Sequence, residues 1–353
     1  MGLAVLVVNA GSSSLKLRLV GPDDELLGAR DLPPQPADLA AELAALGTPD
    51  AVGHRIVHGG ERFRESVVID ADVEVALREL TALAPLHQPK SLAALDAVQA
   101  ALPGVPAVAC FDTAFHATLT AAASTYALPR AWRERWGLRR YGFHGLSHAW
   151  AAQRAGGGRV VTCHLGAGAS LAAVRDGRCL DTTMGFTPLE GLVMATRSGS
   201  VDPGLLLWLL EETKMPEREL AEALEHESGL LALAGTADMR EVLAGVDRAD
   251  PDSTLALDVY VHRLRAGIAA MAAALGGLDT LVFTGGVGER SAPVRAAAAA
   301  GLRFLGVTLD QARNDAAAGD ADIGAAGAAV RALVVEARED LEIARQVRAV
   351  LAA

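Results

Sequence analysis

Cysteine is nearly absent from this chain, 3 in 353 residues, and Cys110, Cys163 and Cys179 lack the spacing of a metal knuckle or a disulfide framework. Two of them lie inside apolar runs, so all three read as buried, reduced thiols. Long hydrophobic stretches are missing as well. No uninterrupted apolar segment reaches the ~20 residues that span a bilayer, and the chain runs straight into an apolar strand, Ala4–Val8, without a basic leader. The expectation is a cytoplasmic protein with no membrane partner. Nor is there a block of Lys and Arg: at a net charge of −11, nucleic acid is a poor partner. An anionic small substrate would need arginine and histidine gathered locally in a cleft. The P-loop spacing, Gly-x4-Gly-Lys-Ser/Thr, does not occur near the glycine turns described below, which argues against a Walker nucleotide fold.

What is present is ample core material. With 51% apolar and 21% charged residues in 353, the chain suits two domains. Val5 to Lys16 organises the rest: a continuous apolar run, Val5–Val8, fits a strand covered on both faces. Asn9, Gly11, Ser12, Ser13, Ser14 and Lys16 then supply an amide, close backbone approach, hydroxyls and a cation, all suited to phosphate oxygens. Leu15, Leu17 and Leu19 alternate with Lys16 and Arg18, so a second strand returns as a hairpin. An ordinary tight turn fits this stretch equally well. A looser second copy over Val160–Val174, with His164 in place of Asn9 and Gly166 and Gly168 in the turn, suggests a duplicated domain with a nucleotide between the copies.

The other candidates stand at strand ends and in loops. Residues 21–47 carry turn signals and a helix from Ala37, read as connection and scaffold. Ala51–Val57 is a strand candidate leading through Arg55 to His58 and paired glycines, although a solvated strand end would suit Arg55 alone. The prolines of Ala84-Pro85-Leu86-His87-Gln88-Pro89 break a helical pattern and leave His87 on a rigid loop. Ser91 suits the N-cap of a helix reaching Ala101. Val105–Phe111 reads as a buried strand ending in Asp112, at the rim where open α/β sheets bind ligands; an N-cap role for Asp112 stays open. Scarce aromatics gather at Trp132, Trp136, Tyr141 and Phe143 before His144, and the neighbouring Arg139 and Arg140 argue against pure core. Gly156-Gly157-Gly158 is the clearest linker, so the domain junction is expected between His148 and Gly158. Polar loops carry Pro188 and Arg197. Strand Leu281–Thr284 runs into Gly285-Gly286-Val287-Gly288-Glu289-Arg290-Ser291, a dinucleotide fingerprint with its third glycine missing.

These blocks, in this order over nearly the whole chain, resemble the acetokinase family within the larger set of actin-like ATPases and sugar kinases. Asn9–Lys16 resembles the family's first signature and His164–Ser170 its second. Gly53–Gly60, Ala84–His87, Phe111–His116, Tyr141–Gly145, Met184–Gly191 and Asp202-Pro203 are similar to further family blocks. The resemblance implies an α/β chain of two duplicated ribonuclease-H-like (actin-like ATPase) domains with a nucleotide cleft between them. Residues 1–150 would form the acetate side and 151–338 the nucleotide side, with the terminal helix 339–353 packing back on the first. It implies reversible in-line transfer of the γ-phosphoryl group of ATP to acetate, giving acetyl phosphate and ADP, with Mg2+ or Mn2+ and as a homodimer. A propionate or other short-chain carboxylate kinase is the alternative.

By the same resemblance Arg55 holds the acetate carboxylate, Arg197 and His144 stabilise the transferring group, and Asp112 and His87 complete the catalytic set. Lys16, Ser12, Ser14, His164, Gly166, Gly168, Asp238, Met239, Arg240, Gly286, Val287, Gly288 and Glu289 would contact ATP, and Asn9 and Glu339 would hold the metal. Val57, Leu86, Phe143 and Pro188 would line the acyl pocket. The chemistry agrees: a carboxylate is already ionised at neutral pH, so the enzyme needs cations to suppress repulsion between two anions and needs no general base. The chain departs from the family at Ala167 and Arg290, both usually Asn, and at Ala337-Arg338-Glu339-Asp340, which replaces Thr-Asn-Glu-Glu. Glu339 is there the retained acid; the opposing view is that Arg338 pairs with it and removes it from the metal site.

Overall fold

Val5–Ala10 forms β1 and Leu15–Val20 forms β2, an antiparallel hairpin that pairs Val5 with Val20 and Asn9 with Lys16. Leu15, Leu17 and Leu19 are buried while Lys16 is exposed, the alternation a half-buried strand requires. The computed structural model describes residues 2–11, 14–83 and 88–352. Leu26–Leu32 adds β3 to the edge of this meander, where the sequence suggests only connection and scaffold. The reason is physical: none of its residues is buried, so no apolar face patterns it. Ala51–Ile56 (β4) runs parallel to β1, and the two-residue Val67–Val68 (β5) pairs antiparallel with Ala107–Phe111 (β6), itself parallel to β4.

The second sheet repeats this plan. Arg159–Leu165 (β7), Ala169–Arg175 (β8) and Arg178–Thr182 (β9) form the meander, Thr280–Thr284 (β10) and Arg331–Val334 (β12) the parallel part, and Ala321–Asp322 (β11) the short edge. The orders are β3-β2-β1-β4-β6-β5 and β11-β12-β10-β7-β8-β9, with matching strand directions throughout. Three antiparallel strands followed by two parallel ones is the ribonuclease-H-like order, present twice. Asn9 and His164 each stand next to last in the first strand of their hairpin, so they are topological equivalents.

The chain divides into two compact units, Met1–Ala117 with Phe143–Trp150 and Arg338–Ala353, and Thr118–Gly142 with Ala151–Ala337. In the first, the terminal helix Glu339–Ala352 buries Leu341, Ile343, Ala344 and Val347 against Val5, Val7, Ala51 and Val108. Each aliphatic so buried contributes roughly 1.5–3 kcal/mol, which fixes where the helix begins. A Cβ on Gly53 would lie 2.5 Å from Ile343 Cγ2, so only glycine lets the helix cross β4 this closely. In the second unit the long helix Pro251–Leu275 is capped by Asp250, which accepts from the Ser253 amide at 2.9 Å, and ends at the left-handed Gly276.

Two local expectations need correction. The helix expected from Ser91 starts at Gln88, with Pro89 in its first turn, and Ser91 is buried rather than capping. The stretch resembling a dinucleotide loop is a short helix, Gly285–Arg290, followed by a second, Ala292–Ala300. The three cysteines are buried and outside any disulfide, and burial pushes the Cys110 thiol up to about 12, so it is unreactive. No helix among the described residues is long and apolar enough to cross a membrane.

Candidate active site

In the first unit four polar residues expected at the site meet at strand and helix ends. Arg55 extends from β4 and Asp112 follows β6, the neighbouring parallel strand. Arg55 Nε and Nη2 donate to the two oxygens of Asp112 at 3.2 and 2.5 Å, and Nη1 donates to Asn9 Oδ1 at 3.3 Å. Asn9 Nδ2 in turn donates to Glu339 Oε2 at 3.2 Å. The Asp112 side chain is 2% exposed and that of Arg55 17%. Burial alone would lower the Arg55 pKa, but the charges of Asp112 and Glu339 and the hydrogen bonds to Asp112 outweigh it, so the guanidinium is held more firmly protonated than usual. Lys16 is the cross-strand partner of Asn9. The Gly145 amide donates to the Asp112 carbonyl at 2.9 Å, which ties Phe143 and His144 to the same corner. His144 carries a left-handed φ of 57°, a conformation that costs about 1–3 kcal/mol for a residue other than glycine.

Behind this array lie histidines that do not titrate normally. Burial lowers His54, His58 and His116 from 6.5 to about 4 each; His58 packs edge-on to Phe143 at 5.5 Å, and His116 Nε2 contacts the Phe143 carbonyl at 2.9 Å. In the unfolded chain these rings take up protons near 6.5, whereas the folded protein resists until about 4. Stability is therefore fully present above 6.5 and is lost as pH falls towards 4, at about 1.4 kcal/mol per unit of difference per ring. Urea midpoints at pH 7, 6 and 5 should fall steeply, and His54→Leu should flatten the slope. A profile level across this window would show that the rings titrate alike in both states.

In the second unit, Arg197 Nη1 donates to the Pro188 carbonyl at 3.2 Å, and its Nε lies 3.6 Å from Glu225 Oε2. Burial lowers the Arg197 pKa, partly offset by Glu225. The turn of the second hairpin closes through Gly166 N–H to the Gly168 carbonyl at 2.9 Å, and Thr284 pairs in register with His164, so the helix Gly285–Arg290 starts beside that turn. Asp238 caps the helix Met239–Asp247 through the Arg240 amide and also receives the Arg240 side chain, which holds its carboxyl down at about 2. Met239 is buried. Glu289 Oε1 accepts from the Ala337 amide at 2.9 Å. Ser12, Leu86 and His87 lie outside the described residues.

One residue that sequence reasoning passes over is Arg295. It is 1% exposed, and its guanidinium donates to the carbonyls of Gly288, Glu289 and Asn314 and to Asn314 Oδ1 at 2.7–2.9 Å. It fixes the end of the Gly285–Arg290 helix from below, yet in sequence it is one arginine in an alanine run.

Magnesium takes one or two carboxylates with waters and phosphate oxygens. Glu339 beside Asn9 is a donor set of that kind, and no cage of three or more His, Cys, Asp or Glu side chains exists among the described residues. Arg338 does not draw Glu339 away: it pairs with Asp340, Nη2 to Oδ2 at 2.9 Å.

The acetokinase family model matches residues 40–345. Acetate kinase of Gloeobacter violaceus is 51% identical over 307 residues, 84% of this chain and 76% of that protein. Among solved structures, Porphyromonas gingivalis acetate kinase superposes with a TM-score of 0.91 at 34% identity, covering 99% of this chain and 100% of that one. A propionate kinase from Francisella tularensis gives 0.90 at 33%, covering 98% and 99%.

Proposed function

The chain belongs to the acetokinase family, and from that premise we propose that it transfers the γ-phosphoryl group of ATP to acetate, reversibly and in line, forming acetyl phosphate and ADP. The observation that carries the reading is the array Arg55–Asp112 and Asn9–Glu339. Both oxygens of Asp112 are engaged by Arg55, so Asp112 orients a cation rather than accepting a proton. That suits an acceptor already ionised, and it disfavours a sugar or other alcohol, whose hydroxyl needs a base.

In this reading Arg55 binds the acetate carboxylate, and Val57, Phe143 and Pro188 are the apolar side chains assigned to its methyl group. Arg197 and His144 stabilise the equatorial oxygens of the transferring group. Lys16, Ser14 and the hairpin at His164, Gly166 and Gly168 receive phosphate oxygens, while Asp238, Met239, Arg240 and the Gly286–Glu289 segment hold the rest of the nucleotide. Asn9 and Glu339 hold magnesium, which when bound neutralises β- and γ-phosphate charge. The helix Pro203–Glu211 has no buried residue and exposes Leu205, Leu207 and Trp208; covering such a face favours a homodimer.

A hydroxylamine trap for acyl phosphate, with ATP and a panel of short carboxylates, tests the function: trapping with acetate is expected, and none with any carboxylate would refute it. The acyl wall has its own test. One methylene in an apolar pocket is worth about 1–3 kcal/mol, so propionate should be a slower substrate. Val57, 7% exposed, should set that limit; Val57→Ala should raise kcat/KM for propionate relative to acetate by up to ~10-fold, mainly through KM. An unmoved ratio removes Val57 from the pocket.

A further inference from the structure

Arg139 and Arg140 are singled out by the sequence, yet the proposed reaction leaves them without a task. We propose that Arg140, Tyr126 and Glu190 form a positioning device that sets the height of the acyl-pocket wall and the aim of Arg197; the inference rests on the reading above.

The geometry is that of a loop locked from two sides. Glu190 receives the Tyr126 hydroxyl on Oε2 at 2.5 Å and Arg140 Nη2 on Oε1 at 2.7 Å. The same Tyr126 oxygen accepts the Phe186 amide at 3.0 Å, and Arg140 Nη1 donates to the carbonyls of Thr183 and Met184 at 3.0 Å each. The amides of Tyr141 and Gly142 donate to the Gly185 carbonyl at 3.0 and 3.3 Å. Both ends of Thr183–Glu190 are therefore tied to one guanidinium, and its middle to one phenol. A Cβ on Gly185 would fall 1.8 Å from Glu190 Oε2 and 2.2 Å from Tyr126 Oη, so the loop wraps directly on the pair. Pro188 lies two residues before Glu190, and its carbonyl accepts from Arg197 Nη1 at 3.2 Å.

A chain of contacts thus runs from the triad through Pro188 to the arginine assigned to the transferring group. An Arg140–Glu190 pair 16% and 36% exposed is partly shielded from water, and the planar fork lets one nitrogen of Arg140 hold Glu190 while the other holds the Thr183 and Met184 carbonyls, which a single ammonium would not reproduce. Small errors in placing a reacting partner cost rate steeply. The chain of contacts ends at Arg197 and touches none of the residues assigned to the rest of the nucleotide, so its loss should be felt in the acetate KM and, through Arg197, in kcat, and not in the KM for ATP.

The experiment measures steady-state kinetics for acetate, propionate and ATP in Tyr126→Phe, Glu190→Ala and Glu190→Gln. Tyr126→Phe removes one oxygen and keeps the ring, so it tests the device even if Glu190→Ala does not fold. Expected for Tyr126→Phe and Glu190→Ala is a KM for acetate raised about tenfold or more, kcat changed less, a higher propionate-to-acetate ratio of kcat/KM, and an unchanged KM for ATP. Glu190→Gln, whose amide oxygen still accepts from Arg140 while its NH2 donates to the Tyr126 oxygen in reversed sense, should restore part of the acetate KM lost in Glu190→Ala. Unchanged acetate KM and ratio in Tyr126→Phe, or an ATP KM rising in parallel, would overturn the inference while leaving the kinase reading intact. A parent enzyme that yields no acyl phosphate would remove the reading itself.

Discussion

Arg197→Ala is expected to lower kcat for acetate phosphorylation by about 10²–10³-fold, the range for removing one preorganised donor from a developing anion, in a protein that stays folded. Its ties are modest: the Pro188 carbonyl at 3.2 Å and Glu225 at 3.6 Å, the latter 18% exposed. Little buried charge is stranded when it goes. A partly buried guanidinium held by one carbonyl, the Met194 sulfur and a distant carboxylate, its pKa already lowered by burial, gains most when a phosphoryl oxygen approaches it. Arg55→Ala should match or exceed this loss, with a difference in stability. Its partner Asp112 is 2% exposed and engaged through two hydrogen bonds, so removal breaks a buried ion pair, at about 3–5 kcal/mol. The Arg55→Ala enzyme should therefore unfold several degrees earlier, whereas Arg197→Ala should not. Lysine should rescue neither, because a point charge cannot reproduce the fork. Near-normal kcat in a folded Arg197→Ala enzyme would sink its assignment to the transferring group.

Legibility in sequence followed the strength of local pattern. The two hairpins, the buried ends of β4 and β6 and the terminal helix were readable because apolar runs and alternation dominate them; Val5–Val8 and the leucines of β2 are buried in the way their spacing implies. β3 escaped because an edge strand with exposed Leu26 and Leu27 has no face to pattern. The Gly285–Arg290 helix escaped because its glycines mimic a loop while tertiary contacts, Arg295 above all, hold it helical. Arg55, Asp112, Asn9 and Glu339 were each visible as residue types at suggestive places. Their meeting was implied by the family resemblance alone, since the Asn9–Glu339 contact joins residues 330 apart and no spacing rule spans that distance. Arg140 shows the opposite limit: the residue stood out, but the carboxylate it shares with Tyr126, Glu190, could be found only in three dimensions.

The magnesium requirement is where the local departure from the family has most consequence. Glu339 opens the terminal helix, and the burial of Leu341, Ile343 and Val347 against the first sheet fixes its position. Its neighbour Arg338 would have neutralised it, but the guanidinium turns to Asp340, Nε to Oδ1 at 2.9 Å, and Glu339 is left beside Asn9 and within reach of the Arg55 charge. A carboxylate so placed can accept a hard cation with waters and phosphate oxygens completing the shell. Glu339→Ala should then raise the magnesium concentration for half-maximal rate by about tenfold or more, the scale of losing one charge-assisted contact. Saturating magnesium should recover much of kcat, and the thermal midpoint should hardly move because the helix anchors remain. Asp340→Ala sharpens the test. It frees Arg338 to compete for Glu339, so it should shift the magnesium titration in the same direction though less far, while Arg338→Ala should leave it nearly unchanged. A magnesium titration in Glu339→Ala that overlays the parent would mean that Glu339 serves only to hold Asn9, and that the metal is carried by phosphate oxygens and water alone.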